Sequence, residues 1–219
     1  MFTRNILYVF LLIVFSGSAV AQSAADDNLS INARLLVAAR NADATTIERA
    51  LAQGAAVNSR NRLGETPLII LLKNDHADIA QMVLAAGADV NLAALNGITP
   101  LMAASFSGQA AMVKQLLDKG ANVAAIDRLQ KNAMTYAAGA GRTDVVVLLL
   151  AKGVNPNEVY NNGLTALMWA AGYGKTETVK ALLAAGAQPQ LKDNRGKTAA
   201  DMAREEHFDE TAAALAAAK

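Results

Sequence analysis

Side chains that could carry out chemistry are few in this sequence, and their spacing fits no familiar catalytic or metal-binding pattern. There is no cysteine, so disulfides, thiolate catalysis and cysteine-ligated metals are excluded. The two histidines, His76 and His207, have no second ligand at the spacing of a metal motif, and no serine stands in a Gly-x-Ser-x-Gly pattern. We therefore expect no enzyme activity, no catalytic residue, no metal site and no cofactor.

The segment Gly172–Thr176 is the part of the chain most similar to a phosphate-binding loop. Its sequence Gly-Tyr-Gly-Lys-Thr matches the end of the pattern G-x-x-x-x-G-K-[ST], in which backbone amides and a lysine hold phosphate. The glycine required five positions before Gly174 is replaced by Trp169, and a helical pattern rather than a strand precedes the segment. We therefore interpret the segment as the end of a helix, capped by glycine.

Residues 1–21 have the pattern of a cleaved signal peptide. Arg4 supplies the positive charge, Ile6–Phe15 is an uninterrupted apolar run, and Ala19-Val20-Ala21 forms a cleavage site before Gln22. A membrane anchor is the alternative, but a run of this length is too short to span a bilayer comfortably. We expect a bacterial protein exported to the periplasm, or secreted fully, in which residues 22–28 form a flexible leader.

Composition and charge limit the partners of the processed chain. Of the 20 basic residues Arg4 lies in the signal segment, which leaves 19 basic residues against 19 acidic ones. Binding to nucleic acid or to an anionic membrane needs a basic surface, so we expect neither. No second apolar run is long enough to span a membrane, and the 53% hydrophobic content predicts a large folded core instead.

Three series of residues recur in one register with a period of 33, which indicates a repeat protein. The first series consists of Thr66-Pro67-Leu68, Thr99-Pro100-Leu101, Asn132-Ala133-Met134, Thr165-Ala166-Leu167 and Thr198-Ala199-Ala200; the second of Gly54, Gly87, Gly120, Gly153 and Gly186; the third of Leu51, Leu84, Leu117, Leu150 and Leu183. In each unit Thr and Pro favour the start of a short helix, a glycine ends it, and a second helix ends at the next Gly-Ala. Stacked units of this kind bury a continuous core.

The units resemble ankyrin repeats. Gly64–Leu68 and Gly87–Asn91 are close to the family's G-x-T-P-L and G-A-x-V-N signatures, and the resemblance covers residues 29–217. It implies an all-α repeat solenoid of stacked helix-turn-helix units with short β-hairpin loops. We expect one domain over 29–219, with an N-terminal cap at 29–59, full units starting near 61, 94, 127 and 160, and a C-terminal cap at 193–219.

The chain departs from the signature in two places, and both departures predict weak points. In the third full unit Gln130 stands in place of Gly and Asn132-Ala133 in place of Thr-Pro, so we expect the weakest coupling of the array at residues 127–135. Asp75 stands where Gly108, Gly141 and Gly174 end the other first helices. If it adopts their left-handed conformation, Asp75→Gly should stabilise the protein by about 0.5–1 kcal/mol.

The resemblance also implies a protein partner, bound on the concave face by residues at the family's variable positions. In this sequence those positions hold Arg62, Leu63, Lys73, Leu95, Asn96, Ile98, Phe106, Arg128, Leu129, Lys131, Asn161, Asn162, Leu164 and Tyr173. Trp169 and Tyr136 lie one helical step away and are equally compatible with core packing and with partner contact. A hydrophobic row of this kind, surrounded by polar groups, is typical of a binding site.

These features predict a monomeric, non-catalytic scaffold or adaptor that docks another protein, either a periplasmic enzyme or a component of the cell envelope. An immunity or inhibitor protein that neutralises a toxin delivered to the periplasm is the alternative. The neighbouring genes would separate the two hypotheses, since a toxin gene favours immunity and a housekeeping enzyme favours an adaptor.

Overall fold

The computed structural model describes residues 29–218, so the predicted signal peptide at 1–21 and the leader at 22–28 lie outside it. The described residues form twelve α-helices and no β-strand. The helices are α1 (Ile31–Asn41), α2 (Ala44–Ala52), α3 (Pro67–Lys73), α4 (Ala77–Ala85), α5 (Pro100–Ser107), α6 (Ala110–Asp118), α7 (Ala133–Ala140), α8 (Thr143–Ala151), α9 (Ala166–Gly172), α10 (Thr176–Ala184), α11 (Ala199–Glu205) and α12 (Asp209–Ala217).

The helices form six antiparallel pairs that stack in chain order, which confirms the all-α solenoid. One apolar core runs through the stack from Leu35 in α1 to Leu215 in α12. Ala104, Ala137 and Ala170 occupy the same position in consecutive first helices and are fully buried, which lets these helices pack closely. Consecutive first helices (α1, α3, α5, α7, α9, α11) contact one another more extensively than consecutive second helices do, so the first helices line the concave face.

A side-chain cap starts each full first helix. The hydroxyl Oγ1 of Thr66, Thr99 and Thr165 accepts a hydrogen bond from the backbone amide three residues later, at 3.2–3.3 Å. In the third unit Asn132 and Thr135 form a capping box, in which each side chain accepts a hydrogen bond from the backbone amide of the other residue at 3.0 Å. The start of α7 is therefore capped by side chains although Thr-Pro is absent there.

The hairpin loops that precede the first helices are tight turns stacked in a row. Each is closed within its own unit by a backbone bond, such as the one from the Asp127 amide to the Lys131 carbonyl at 2.9 Å. Neighbouring tips are joined by the Leu95 amide to the Leu63 carbonyl (2.9 Å), Arg128 to Asn96 (3.0 Å) and Asn194 to Asn162 (2.9 Å). These bonds form an edge along one rim of the concave face.

Two of the links that join neighbouring units elsewhere are missing around the third unit. Among the described residues no backbone bond joins the tips at Leu129 and Asn161. Tyr160 stands at the position of Asp127 in the preceding turn and Asp193 in the following one, whose carboxylates accept hydrogen bonds from amides of their turns. The loop here becomes a 3-10 turn at Asn161–Gly163. On its other side the unit lacks an asparagine link, because Ala124 replaces the residue at that position.

Ala124→Asn should restore this asparagine link and stabilise the protein by about 1 kcal/mol. At the equivalent position of the preceding unit, the Asn91 side chain accepts a hydrogen bond from the Asn122 backbone amide at 2.8 Å. It also donates one to the Gly120 carbonyl at 3.0 Å. Urea melts of the wild type and the variant measure the gain. Ala124→Asp is the control, since it keeps the acceptor and lacks the donor, and should gain less. An unchanged or lower midpoint for Ala124→Asn would count against a weak joint at this position.

Asp75 and Gln130, which stand at glycine positions of the repeat, both have a left-handed φ, of 64° and 59°. Asp75 also accepts a hydrogen bond from Gln109 Nε2 of the next unit at 2.8 Å, whereas the exposed Gln130 side chain makes no hydrogen bond within the described residues.

Gln130→Gly should therefore stabilise the protein by about 1 kcal/mol, because it relieves the left-handed strain and removes no side-chain hydrogen bond. Asp75→Gly should gain less than this, since the relief is offset by the lost inter-unit bond. Denaturant midpoints of the two variants test the difference. A larger gain for Asp75→Gly would show that the bond to Gln109 contributes little.

Candidate protein-binding site

Four aromatic side chains line the concave face across three consecutive units. Phe106 lies in α5, Tyr136 in α7 and Trp169 in α9, and Tyr173 directly follows α9. The Phe106 and Tyr136 rings meet edge to face with centroids 6.2 Å apart, and the Trp169 and Tyr173 rings are nearly parallel at 6.1 Å. We call the depression of about 200 Å³ between them the aromatic groove.

The two outer rings of the aromatic groove are the more exposed ones. Phe106 is 55% exposed and Tyr173 is 54% exposed, although both are large apolar side chains. Trp169 and Tyr136 are half-buried: one side of each packs on the core, and the other side lines the groove. Tyr136 and Trp169 therefore contribute both to the core and to the surface of the groove.

Lys131 places a positive charge at the aromatic groove. Its ammonium lies 4.2 Å from the centroid of the Trp169 ring and 5.7 Å from that of Tyr136, which are cation–π distances. The Tyr136 hydroxyl donates a 2.6 Å hydrogen bond to Asp127 Oδ2. Burial, together with this carboxylate, raises the pKa of Tyr136, so the phenol stays protonated and continues to donate.

Asp127 fixes the turn that carries Lys131. Its carboxylate is buried, and Oδ1 accepts the backbone amides of Leu129 and Lys131, both at 2.8 Å. With Oδ2 bound to Tyr136, both oxygens are engaged within the protein. The turn and the ring of Tyr136 are therefore held in one fixed arrangement.

Glycines inside the helices leave the floor of the concave face open. Gly139 in α7 and Gly172 in α9 occupy the position at which other units carry Lys73, Phe106 and Glu205. A glycine in a helix costs about 0.5–1 kcal/mol relative to alanine. A Cβ at Gly139 would touch the Tyr173 ring at 3.6 Å, and one at Gly172 would enter open space beside a second depression of about 410 Å³. Both glycines thus preserve room at a cost in stability, which favours a binding role.

The structure separates the remaining residues of the predicted site into three groups. Eight lie exposed on the row of hairpin tips: Arg62, Leu63, Leu95, Asn96, Arg128, Leu129, Asn161 and Asn162. Ile98 and Leu164 are partly buried and pack against the core, although Leu164 also lines the second depression. Lys73 forms an ion pair with Glu65 of its own unit and lies apart from the aromatic groove. The predicted residues that the fold brings together are Phe106, Lys131, Trp169 and Tyr173.

Sequence reasoning missed Gly139 and Gly172 as parts of the site. The available signal was a glycine inside a predicted helix, which usually has a packing or functional reason. The segment Gly172–Thr176 ends α9 as expected, because Gly174 has a left-handed φ of 63° and its amide bonds to the Ala171 carbonyl at 3.0 Å.

Across residues 29–218 no three metal-ligating side chains come together. None of the helices described here has the length and apolar content needed to cross a bilayer.

Comparison with known proteins agrees with the repeat geometry. The family model described as ankyrin repeats (3 copies) matches residues 35–127 and 134–219, which together are most of the chain. No curated protein matches the sequence.

Proposed function

The chain belongs to the ankyrin-repeat family, whose members are generally protein–protein interaction modules on a typically non-catalytic scaffold, and we propose that it docks a partner protein in its aromatic groove. The observation that carries this proposal is the set of partly exposed rings on the concave face of three consecutive units, formed by Phe106, Tyr136, Trp169 and Tyr173. Aromatic side chains of this kind supply most of the binding energy at many interfaces.

The surroundings of the groove support the same function. The exposed hairpin tips provide a polar rim with Arg128, Asn161 and Asn162, next to an apolar centre. Interfaces commonly have this arrangement, because the rim excludes water from the central contacts. Arg128 is bonded to the preceding tip at Asn96, and Asn162 to the following tip at Asn194, which holds these parts of the rim in place before a partner arrives and lowers the entropic cost of binding.

We propose further that the protein works as an adaptor in the bacterial periplasm and that the partner is a periplasmic enzyme or an envelope protein. The support is the signal-peptide pattern of residues 1–21. N-terminal sequencing of the protein from its source cells should begin at Gln22. Full-length chain in the cytoplasm would contradict export.

Capture from periplasmic extract tests the docking function. The wild type, the double variant Phe106→Ala/Tyr173→Ala and the control Val147→Ala are immobilised side by side. Val147 is also a large apolar residue and is 51% exposed, but it lies on the second helix α8, on the convex side. The same protein should be retained by the wild type and by Val147→Ala and be lost from the double variant. Equal retention by all three would place the partner site elsewhere.

The identity of the captured protein also separates the adaptor from the immunity alternative. A periplasmic enzyme or envelope protein of the same cell supports the adaptor. A toxin that the scaffold inhibits on binding supports the immunity role.

A further inference from the structure

An ion pair of fixed geometry crosses the first helix in two units of the array. In the first full unit Glu65 binds Lys73, and in the last unit Lys197 binds Glu205. In both units the pair joins the residue just before the Thr cap to the residue eight positions later, in the last turn of the helix. The pair closes that part of the concave face with a side chain of the protein itself.

The third unit has a cation at the first of these two positions, as the last unit does, and has no anion at the second. Lys131 is equivalent to Lys197, and Gly139 is equivalent to Glu205, at a separation of two 33-residue periods. No carboxylate oxygen of the described residues lies within 4.0 Å of the Lys131 ammonium. Asp127 cannot supply one without breaking its bonds to Tyr136 and to the turn amides. The ammonium instead lies over the Trp169 ring at 4.2 Å.

Gly139 has no side chain to fill the position that Glu205 occupies in the last unit, and this space is part of the aromatic groove. Gly139 and Lys131 both line it, together with Phe106, Trp169 and Tyr173. A group that enters beside Gly139 would thus meet a cation with no carboxylate partner and aromatic rings around it. This combination fits an acidic side chain flanked by apolar ones.

We propose that the groove binds an acidic segment of the partner protein, in which an Asp or Glu carboxylate binds Lys131 in the place that Glu205 takes beside Lys197. This inference rests on the proposed docking function and names the partner chemistry for it. Apolar side chains next to the acidic residue contact the rings of Phe106 and Tyr173. Exposed positive groups nearby also favour a negatively charged partner. Arg128 stands on the adjoining tip, and Arg142 is anchored by its 2.9 Å hydrogen bond to the Phe106 carbonyl.

A randomised twelve-residue peptide library displayed on phage is a suitable probe, with the full chain as the target. Enriched peptides should contain Asp or Glu next to an aromatic or aliphatic residue. The best peptide is then compared with its own Glu→Gln or Asp→Asn version. We expect a loss of about tenfold in affinity, because a charge-assisted contact in a partly desolvated groove becomes a neutral one.

Two variants locate this preference at the groove. In Lys131→Met, which keeps the aliphatic stem, the acidic and amide peptides should bind equally. In Gly139→Glu the protein supplies its own carboxylate to Lys131, so the acidic peptide should bind at least tenfold more weakly. The melting temperature should not fall, since Glu favours helix more than Gly does. Retention of the acidic preference in Lys131→Met would overturn the inference, as would unchanged affinity in Gly139→Glu.

The same library distinguishes this inference from the docking function itself. Peptides without acidic residues whose binding is lost in Phe106→Ala/Tyr173→Ala would overturn the acidic preference and leave the docking function standing. Peptides whose binding does not depend on Phe106 and Tyr173, or the absence of any enriched peptide, would overturn both.

Discussion

Gly97→Ala should destabilise the protein by about 3 kcal/mol, whereas Gly120→Ala should cost only about 1 kcal/mol. Both glycines have a left-handed φ, of 87° and 84°, so the backbone penalty of adding a Cβ is the same. A Cβ at Gly97 would lie 2.8 Å from the Asp127 Cα and 3.1 Å from the Arg128 amide nitrogen, and neither backbone atom can move without shifting the next hairpin. Around Gly120 there is open space.

Denaturant unfolding of the two variants measures the difference. Both variants lose stability through the left-handed penalty. The further loss in Gly97→Ala reports how tightly the hairpin tips stack, because only Gly97 lies against the following unit. Equal losses of stability in the two variants would show that the tips do not pack as closely as the structure has them.

Phe106→Ala and Tyr173→Ala should each weaken binding of the captured partner by about 2 kcal/mol, or roughly thirtyfold, and should barely change the free energy of unfolding. Both rings are more than half exposed, so the folded protein loses little when they are truncated. Trp169→Ala should lower both quantities, because the same ring packs on the core and faces the groove.

Affinity and melting temperature, measured on the same preparations, separate these effects. Val147→Ala should change neither, and it controls for the general loss of an exposed apolar side chain. A fall in melting temperature without a fall in affinity for Phe106→Ala and Tyr173→Ala would assign these rings to folding instead.

Much of the fold followed from the sequence because each unit repeats the same local physics. The 33-residue register located the helix starts at Thr66 and Thr99, and it placed Asp75 and Gln130 at positions that hold glycine in other units; both have a left-handed φ. These features depend on one residue and its nearest neighbours in the chain. They also recur in several units, so the predicted register does not depend on a single motif.

Features that depend on contact between units could not be read in this way. The capping box of Asn132 and Thr135 is local by contrast: Asn accepts a hydrogen bond from a helix amide as Thr does, so it can cap α7 in place of Thr. The open floor at Gly139 acquires meaning only when Lys131 and Trp169 are seen across it. The site residues were predicted as variable positions of a family, and the structure shows which of them meet.

The central claim is that a partner protein lies in the aromatic groove of the concave face. Its most direct test is photocrosslinking in the source cells, with the photoreactive residue p-benzoylphenylalanine placed at Tyr173 in one strain and at Val147 in another. We predict a crosslinked complex of one defined mass from position 173, reduced when Gly139→Glu is added, and none from position 147. Crosslinks from position 147 together with none from position 173 would contradict the account.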